Sequence, residues 1–227
     1  MENGIKDSGV GTGLGLGVGK DEIIILVART FAIPSPSGQG MSAILRRIGV
    51  TEEQVISAFG DTEGLLTAFA RREAWMMSEP LVTWRSGSAD GFARALMKFG
   101  AIGAGEYSRR LVGFVRTIAI EGERYTSLER KVHDVGPAFV TLKLQEFLSL
   151  GNRCGVFAIP DPQLTAEQLM GLLREPLYDA LTLSPAHDVQ RRELRALEGV
   201  TRLFSAASLE SGGASGSRRA WCRPGPH

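Results

Sequence analysis

The sequence predicts an all-α protein: an amino-terminal three-helix head that holds a helix-turn-helix, followed by a helical body. Three observations carry that expectation. Apolar residues recur at i, i+3, i+4 and i+7 in segment after segment, which is the period of a helix with one buried face. Two short helical patterns meet at Gly49 inside the stretch Gln39 to Leu66, and the second opens on a threonine cap. Hydrophobic residues make up 43% of the 227, enough for a substantial core.

Residues 1–20 alternate glycine with other residues and read as a flexible tail. Gly11, Gly13, Gly15, Gly17 and Gly19 stand two apart, so no G-x-G-x-x-G arises, and Gly19-Lys20 is followed by Asp21 rather than Ser or Thr, so no P-loop forms. The first helix is expected over Asp21 to Ile33, with Ile24, Val27, Ala28 and Phe31 inward and Pro34 and Pro36 ending it. Met41, Ile44, Leu45 and Ile48 share one face of the next helix, which Gly49 ends. Thr51 and Gln54 form a capping box for the third helix, with Val55 and Phe59 inward. Asp61 caps a long fourth helix to about Trp84, with a possible break at Pro80. Helices follow over Ala89 to Ala101 and Tyr107 to Gly122, then a segment Arg124 to His133. Gly136-Pro137 is read as opening a helix through Leu150, with Phe139, Leu142, Phe147 and Leu148 inward. Thr165 and Gln168 form a second capping box, and Pro176 should kink the helix behind it or delay its start. A final helix is expected over about 186–206, and residues 209–227 read as a Gly/Ser-rich, then basic, tail.

Net charge of +1 gives no global pull toward nucleic acid or anionic membrane, and no stretch approaches a membrane span. No signal peptide is evident, which points to a cytoplasmic protein. Two distant cysteines, Cys154 and Cys222, give no disulfide framework. Enzymatic readings find little. His133-Asp134 and His187-Asp188 are isolated pairs, no G-x-S-x-G occurs, and no histidine pair has metal-ligand spacing. No catalytic residue, metal or cofactor is expected.

The head resembles the TetR family of bacterial transcriptional regulators. Phe31, Ile44, Gly49, Val50, Thr51, Val55, Phe59, Leu65 and Leu66 fit, without a gap, that family's pattern of an apolar first helix followed by roughly "IA..AGVS.gtlY.hF.sKe.Ll". Further on, Arg116 to Glu121, Tyr125 to Leu128, Gly136-Pro137, Asp161-Pro162, Ala166 to Arg174 and Thr201 to Phe204 resemble the AefR-like subfamily. The resemblance covers about Asp21 to Ala206. It implies a helix-turn-helix DNA-binding domain over 21–66 and a regulatory and dimerisation body over 67–208. It further implies a homodimer on double-stranded operator DNA, an unidentified small-molecule effector, and pairing of two subunits through the last long helices.

The resemblance departs at positions that commonly contact phosphate in the family. A recognition-helix tyrosine is Ile56 here, a lysine opening the fourth helix is Thr62, and the residues after the cap are Glu52 and Glu53. The family's glycine after the first helix is Ser35. From Asp21 to Leu66 three cations face six anions, a net of −3, although phosphate neutralisation supplies most non-specific DNA affinity. The two glutamates also complement the helix dipole, and glutamate can accept from cytosine N4. The DNA-contact candidates are Gln39, Gly40, Arg46, Arg47, Thr51, Glu52, Gln54, Ser57 and Thr62, and a basic rim of Lys20, Arg29, Arg46 and Arg47 would favour DNA. The alternative reading is a TetR-fold regulator that has lost ordinary DNA binding and acts through a protein partner.

The effector-pocket candidates are Phe92, Leu96, Phe99, Phe114, Thr117, Glu121 and Tyr125, bulky or polar residues on the central helices. Ordinary core packing is the commoner use of such aromatics. Arg116 and Glu121 are candidate polar anchors or a solvated ion pair. Helices over 137–150 and 165–183 are apolar on more than one face, as a dimer requires.

Overall fold

The computed structural model of the chain describes residues 19–33, 39–84, 89–104, 106–156, 158–182 and residue 198. Among these residues the structure is all helical, with no strand. The elements are α1 (Lys20–Phe31), α2 (Met41–Ile48), α3 (Glu52–Phe59), α4 (Thr62–Val82), α5 (Ala89–Ala104), α6 (Glu106–Glu121), α7 (Leu128–His133), a π-helical turn (Asp134–Ala138), α8 (Phe139–Arg153) and α9 (Pro162–Thr182). Residues 1–18, the expected final helix apart from residue 198, the carboxy-terminal tail and the loop around Ser35 lie outside the described residues.

The head forms as its sequence pattern predicts. Ile23, Ile24, Val27, Ala28 and Phe31 of α1 pack on Met41, Ile44 and Leu45 of α2, Val55 of α3, and Leu65, Leu66 and Phe69 of α4. Gly49 ends α2 at φ +71°, a conformation costly for any residue with a Cβ. The Val50 amide there reaches back to the Leu45 carbonyl at 3.0 Å. At the next corner Asp61 Oδ1 accepts from the Gly64 amide at 2.7 Å and caps α4. A Cβ on Gly64 would lie 2.1 Å from the Phe59 carbonyl oxygen, so α3 and α4 meet backbone to backbone there.

Helix α4 serves two cores. Its first half faces the head; Ala74, Met77 and Leu81 face a second core made with Phe92, Leu96 and Phe99 of α5, Val140, Leu144, Phe147 and Leu148 of α8, and Leu169, Met170 and Leu173 of α9. Trp84, Phe92 and Phe147 centre this body core, with ring centroids 4.0 Å (Trp84–Phe92) and 4.9 Å (Phe92–Phe147) apart. The head core also takes in Phe114 and Ile118 of α6 and Leu128 of α7. The head core therefore includes residues on both sides of Leu66.

Several local expectations are corrected. Pro80 does not break α4, which continues to Val82 with the Thr83 amide bonded to the Glu79 carbonyl at 2.9 Å. Gly136-Pro137 does not open a helix: the backbone runs from α7 through the π turn into α8 without leaving helical dihedrals. A π turn absorbs one residue, and the proline needs no amide partner there. Helix α9 begins at Pro162 rather than at Thr165. Asp161 Oδ1 accepts from the Leu164 amide at 2.9 Å, and Thr165 turns its hydroxyl back to the Asp161 carbonyl at 2.8 Å. Proline in the first turn, behind an aspartate cap, outcompetes the internal capping box. Pro176 does not delay the start of α9, which runs from Pro162 to Thr182. Leu142, expected inward, is exposed. Cys154 is disulfide-bonded rather than free, so the cysteine count did not exclude a bridge.

Candidate nucleic-acid interface and its tie to the body

The head has an outward face and an inward face. The outward face is the last turn of α2, the Gly49 corner and α3. Arg46, Arg47, Thr51, Glu52, Glu53, Ile56 and Ser57 are exposed, and Val55 is the one buried residue of α3. Ile56 stands 59% exposed where the resembled pattern has tyrosine. The expected capping box is present. The Gln54 amide donates to Thr51 Oγ1 at 3.3 Å, and the Thr51 amide donates to Gln54 Oε1 at 2.8 Å. Hydrogen bonds from its own backbone amide and from the Thr51 hydroxyl hold the Glu53 carboxyl below its ordinary value of 4.5. Glu53 thus serves the end of its own helix. Thr62 opens α4 and is partly covered.

The expected basic rim divides. Lys20 Nζ lies 5.0 Å from the centre of the Phe59 ring, at the far end of α3. Arg46 and Arg47 close α2 at the corner. Arg29 sits elsewhere, in a cleft with Arg72 and Arg110.

The inward face joins the body through α6. The Met41 amide donates to Glu121 Oε1 at 2.6 Å, a buried bond across 80 residues of sequence. Thr117 Oγ1 lies 3.0 Å from the Gln39 carbonyl and 3.1 Å from that of Gly113, one hydroxyl proton serving both. A Cβ on Gly40 would come within 3.3 Å of Glu121 Oε1. A carboxylate on α6 thus caps α2, whose first amides have no partner within their own helix. Two turns earlier, Gly113 lets the end of α1 lie directly on α6: a Cβ there would meet the Phe31 carbonyl oxygen at 2.5 Å. Phe31, Phe69 and Phe114, one each from α1, α4 and α6, close the joint with centroids 4.8–5.7 Å apart.

A second tie runs from α4 to α7. Glu63 accepts from Lys131 Nζ and from Ser127 Oγ, each at 2.6 Å, and these bonds, the lysine's first, hold its carboxyl below the ordinary value. One of the six head anions is therefore paired.

The structure sorts the candidate residues differently from their sequence order. Gln39 and Gly40 belong to the inward joint, whereas Arg46, Arg47, Thr51, Glu52, Gln54 and Ser57 belong to the outward face. Of the pocket candidates, Phe92, Leu96 and Phe99 lie in the body core, each at most 3% exposed. Phe114, Thr117, Glu121 and Tyr125 gather instead against the head, with the Arg124 guanidinium 5.3 Å from the Tyr125 ring centre. Gly113, Glu63, Ser127 and Lys131 escaped the sequence reading. A lone glycine inside the apolar helix RLVGFVRTIAIEG was the available signal, since it marks a close approach. Among the described residues no cluster of side chains could hold a metal, and no helix is long and apolar enough to cross a membrane.

The head is thus a three-helix unit whose third helix, α3, is exposed and capped, joined through α4 and α6 to a larger helical body. Residues 101–207 match the family model of the AefR-like transcriptional repressor, C-terminal domain. Solved structures share the fold. One is described as a putative TetR-family transcriptional regulator of Mesorhizobium loti MAFF303099, 20% identical, TM-score 0.59, covering 82% of this chain and 95% of its own. Another, from Pectobacterium atrosepticum, is 18% identical with TM-score 0.56, covering 84% and 94%. A third, from Pseudomonas syringae pv. tomato DC3000, is 14% identical with TM-score 0.55, covering 82% and 95%. Comparison with curated protein sequences finds no match. The chain has the fold seen in TetR-family structures, and its residues 101–207 match the AefR-like carboxy-terminal domain.

Proposed function

We propose that the protein is a ligand-responsive regulator that binds operator DNA as a homodimer, through the outward face of the head. The observation that supports this most is the split between the two faces of the head. Helix α3 fully buries only Val55 and leaves Glu52, Glu53, Ile56 and Ser57 exposed, while the opposite face of the head is held on α6 by Glu121 and Thr117. A reading helix needs both freedom on one side and fixed orientation on the other. An effector that moves α6 carries the start of α2 with it. Leu142 of α8 and Leu164 and Leu172 of α9 are 37–49% exposed on the helices expected to pair, and they supply an apolar face for a second subunit.

A mobility-shift titration on the DNA upstream of its own reading frame, at low salt, tests this reading. A shift below micromolar protein is expected. With Lys20, Arg46 and Arg47 as the phosphate-facing cations of each head, the salt slope should be no steeper than about −5 for a dimer. Absence of any shift at micromolar protein, in a dimer confirmed by light scattering, would favour the second reading, in which the head contacts a protein. The exposed Ile56 between Glu53 and Ser57 is the observation that keeps that reading in play.

A further inference from the structure

A cleft of about 420 Å³ opens between head helix α1 and body helices α4 and α6, away from the turn of the helix-turn-helix. Its walls carry three guanidinium groups, Arg29, Arg72 and Arg110, over an apolar floor that includes Ile25, Ala28 and Met76. The cations come from three different helices.

A buried acid organises the deep end. Glu73, 1% exposed, accepts from Arg110 Nε at 3.1 Å and from its terminal amine at 3.0 Å, both on Oε2, and from Arg72 at 3.5 Å on Oε1. The Glu73 carboxylate is too deep to be displaced, and it fixes the Arg110 fork at the cleft wall. Arg72 gives Glu73 a single long contact, and Arg29 has no acidic partner among the described residues. A guanidinium carries five N–H donors in a fixed plane, so Arg72 and Arg29 still offer paired donors to an arriving oxygen anion. The volume falls in the range of small-molecule sites, and the mixed floor and walls suit a ligand with one anionic end and one apolar body.

We propose that this cleft binds a small organic acid, its carboxylate between Arg29 and Arg72 and its apolar body over Ile25, Ala28 and Met76. The ligand bridges the head to the body at the edge of the head core, outside the body core. The inference stands whether or not the head binds DNA, because binding to the cleft is read directly.

The test is calorimetric titration of the full chain with 2-naphthoate, with 2-naphthamide and inorganic phosphate as controls. Saturable binding of naphthoate is expected, with the amide and phosphate each at least about tenfold weaker. Arg29→Gln, at an exposed residue, should weaken naphthoate about three- to tenfold. Ile25→Glu, also exposed, places a like charge on the floor and should abolish binding. Unaltered thermal unfolding midpoints show that each variant folds, and either variant alone decides if the other does not. Equal binding of acid and amide, phosphate as tight as naphthoate, no naphthoate binding at millimolar concentration, or parent-like affinity in a folded variant would each overturn the proposal.

Discussion

The two faces of the head use polar groups in opposite ways. On the outward face Thr51, Glu53 and Gln54 satisfy the end of α3 with partners no more than three residues away. On the inward face the end of α2 has no local side-chain cap, and its Met41 amide is met by Glu121 from 80 residues further along the chain. Local capping leaves α3 able to keep its shape while exposed. Remote capping makes the entry to α2 dependent on where α6 lies. The difference teaches that one small three-helix unit is self-sufficient where it faces outward and conditional where it faces the body.

Perturbing the conditional side should have the largest effect. Gly113→Ala drives a methyl into the Phe31 carbonyl, a backbone atom that cannot swing aside, and should cost about 3 kcal/mol in urea unfolding. A cost under about 0.5 kcal/mol would show that α1 is not seated on α6. Glu121→Ala removes a buried, charge-assisted bond and should cost about 2 kcal/mol, while Glu121→Gln keeps an acceptor and should recover much of it. Amide exchange at the start of α2 should quicken in the alanine variant; unchanged exchange there would contradict the remote cap.

Perturbing the self-sufficient side should do less. Thr51→Ala removes half of the capping box and should cost about 1 kcal/mol, with faster exchange confined to α3. Spread of that effect into α6 would erase the contrast between the faces. Smallest of all is the tie between Glu63 and Lys131, whose lysine is half exposed; Lys131→Met should cost under about 1 kcal/mol at pH 7. Because the Glu63 carboxyl is held below its ordinary 4.5, its contribution is complete above that pH and is lost as pH falls through the lower folded value. The gap between parent and Lys131→Met should therefore stay constant from about pH 7 to about pH 5 and close below about 4.5. A gap that closes on going alkaline would reject the assignment.

The outward face was readable in advance because every partner it uses is near in sequence. The Thr51–Gln54 box, the Gly49 stop and the Asp61 cap each lie within a window of six residues or fewer, and all three form as expected. The second box pattern, Thr165 with Gln168, is equally local in sequence. It lost to Asp161 and Pro162, which offer a better start a turn earlier. The head–body joint was not readable. Gln39 and Gly40 stand among the DNA-contact candidates, and Thr117 and Glu121 among the pocket candidates, because no pattern in the sequence pairs segments some 80 residues apart. Their hydrogen bonds show that they belong to one joint.

By itself the chain's residue order determined the helical class, the position of the turn and the ends of the short head helices, since these depend on dihedral preferences and bonds within one helical turn. Tertiary structure alone decided that α6 caps α2, that Glu63 is paired by α7, and that three arginines from three helices share one cleft. Those outcomes depend on which helix faces meet across the shared core. Residues dozens of positions apart become neighbours only when that packing is complete.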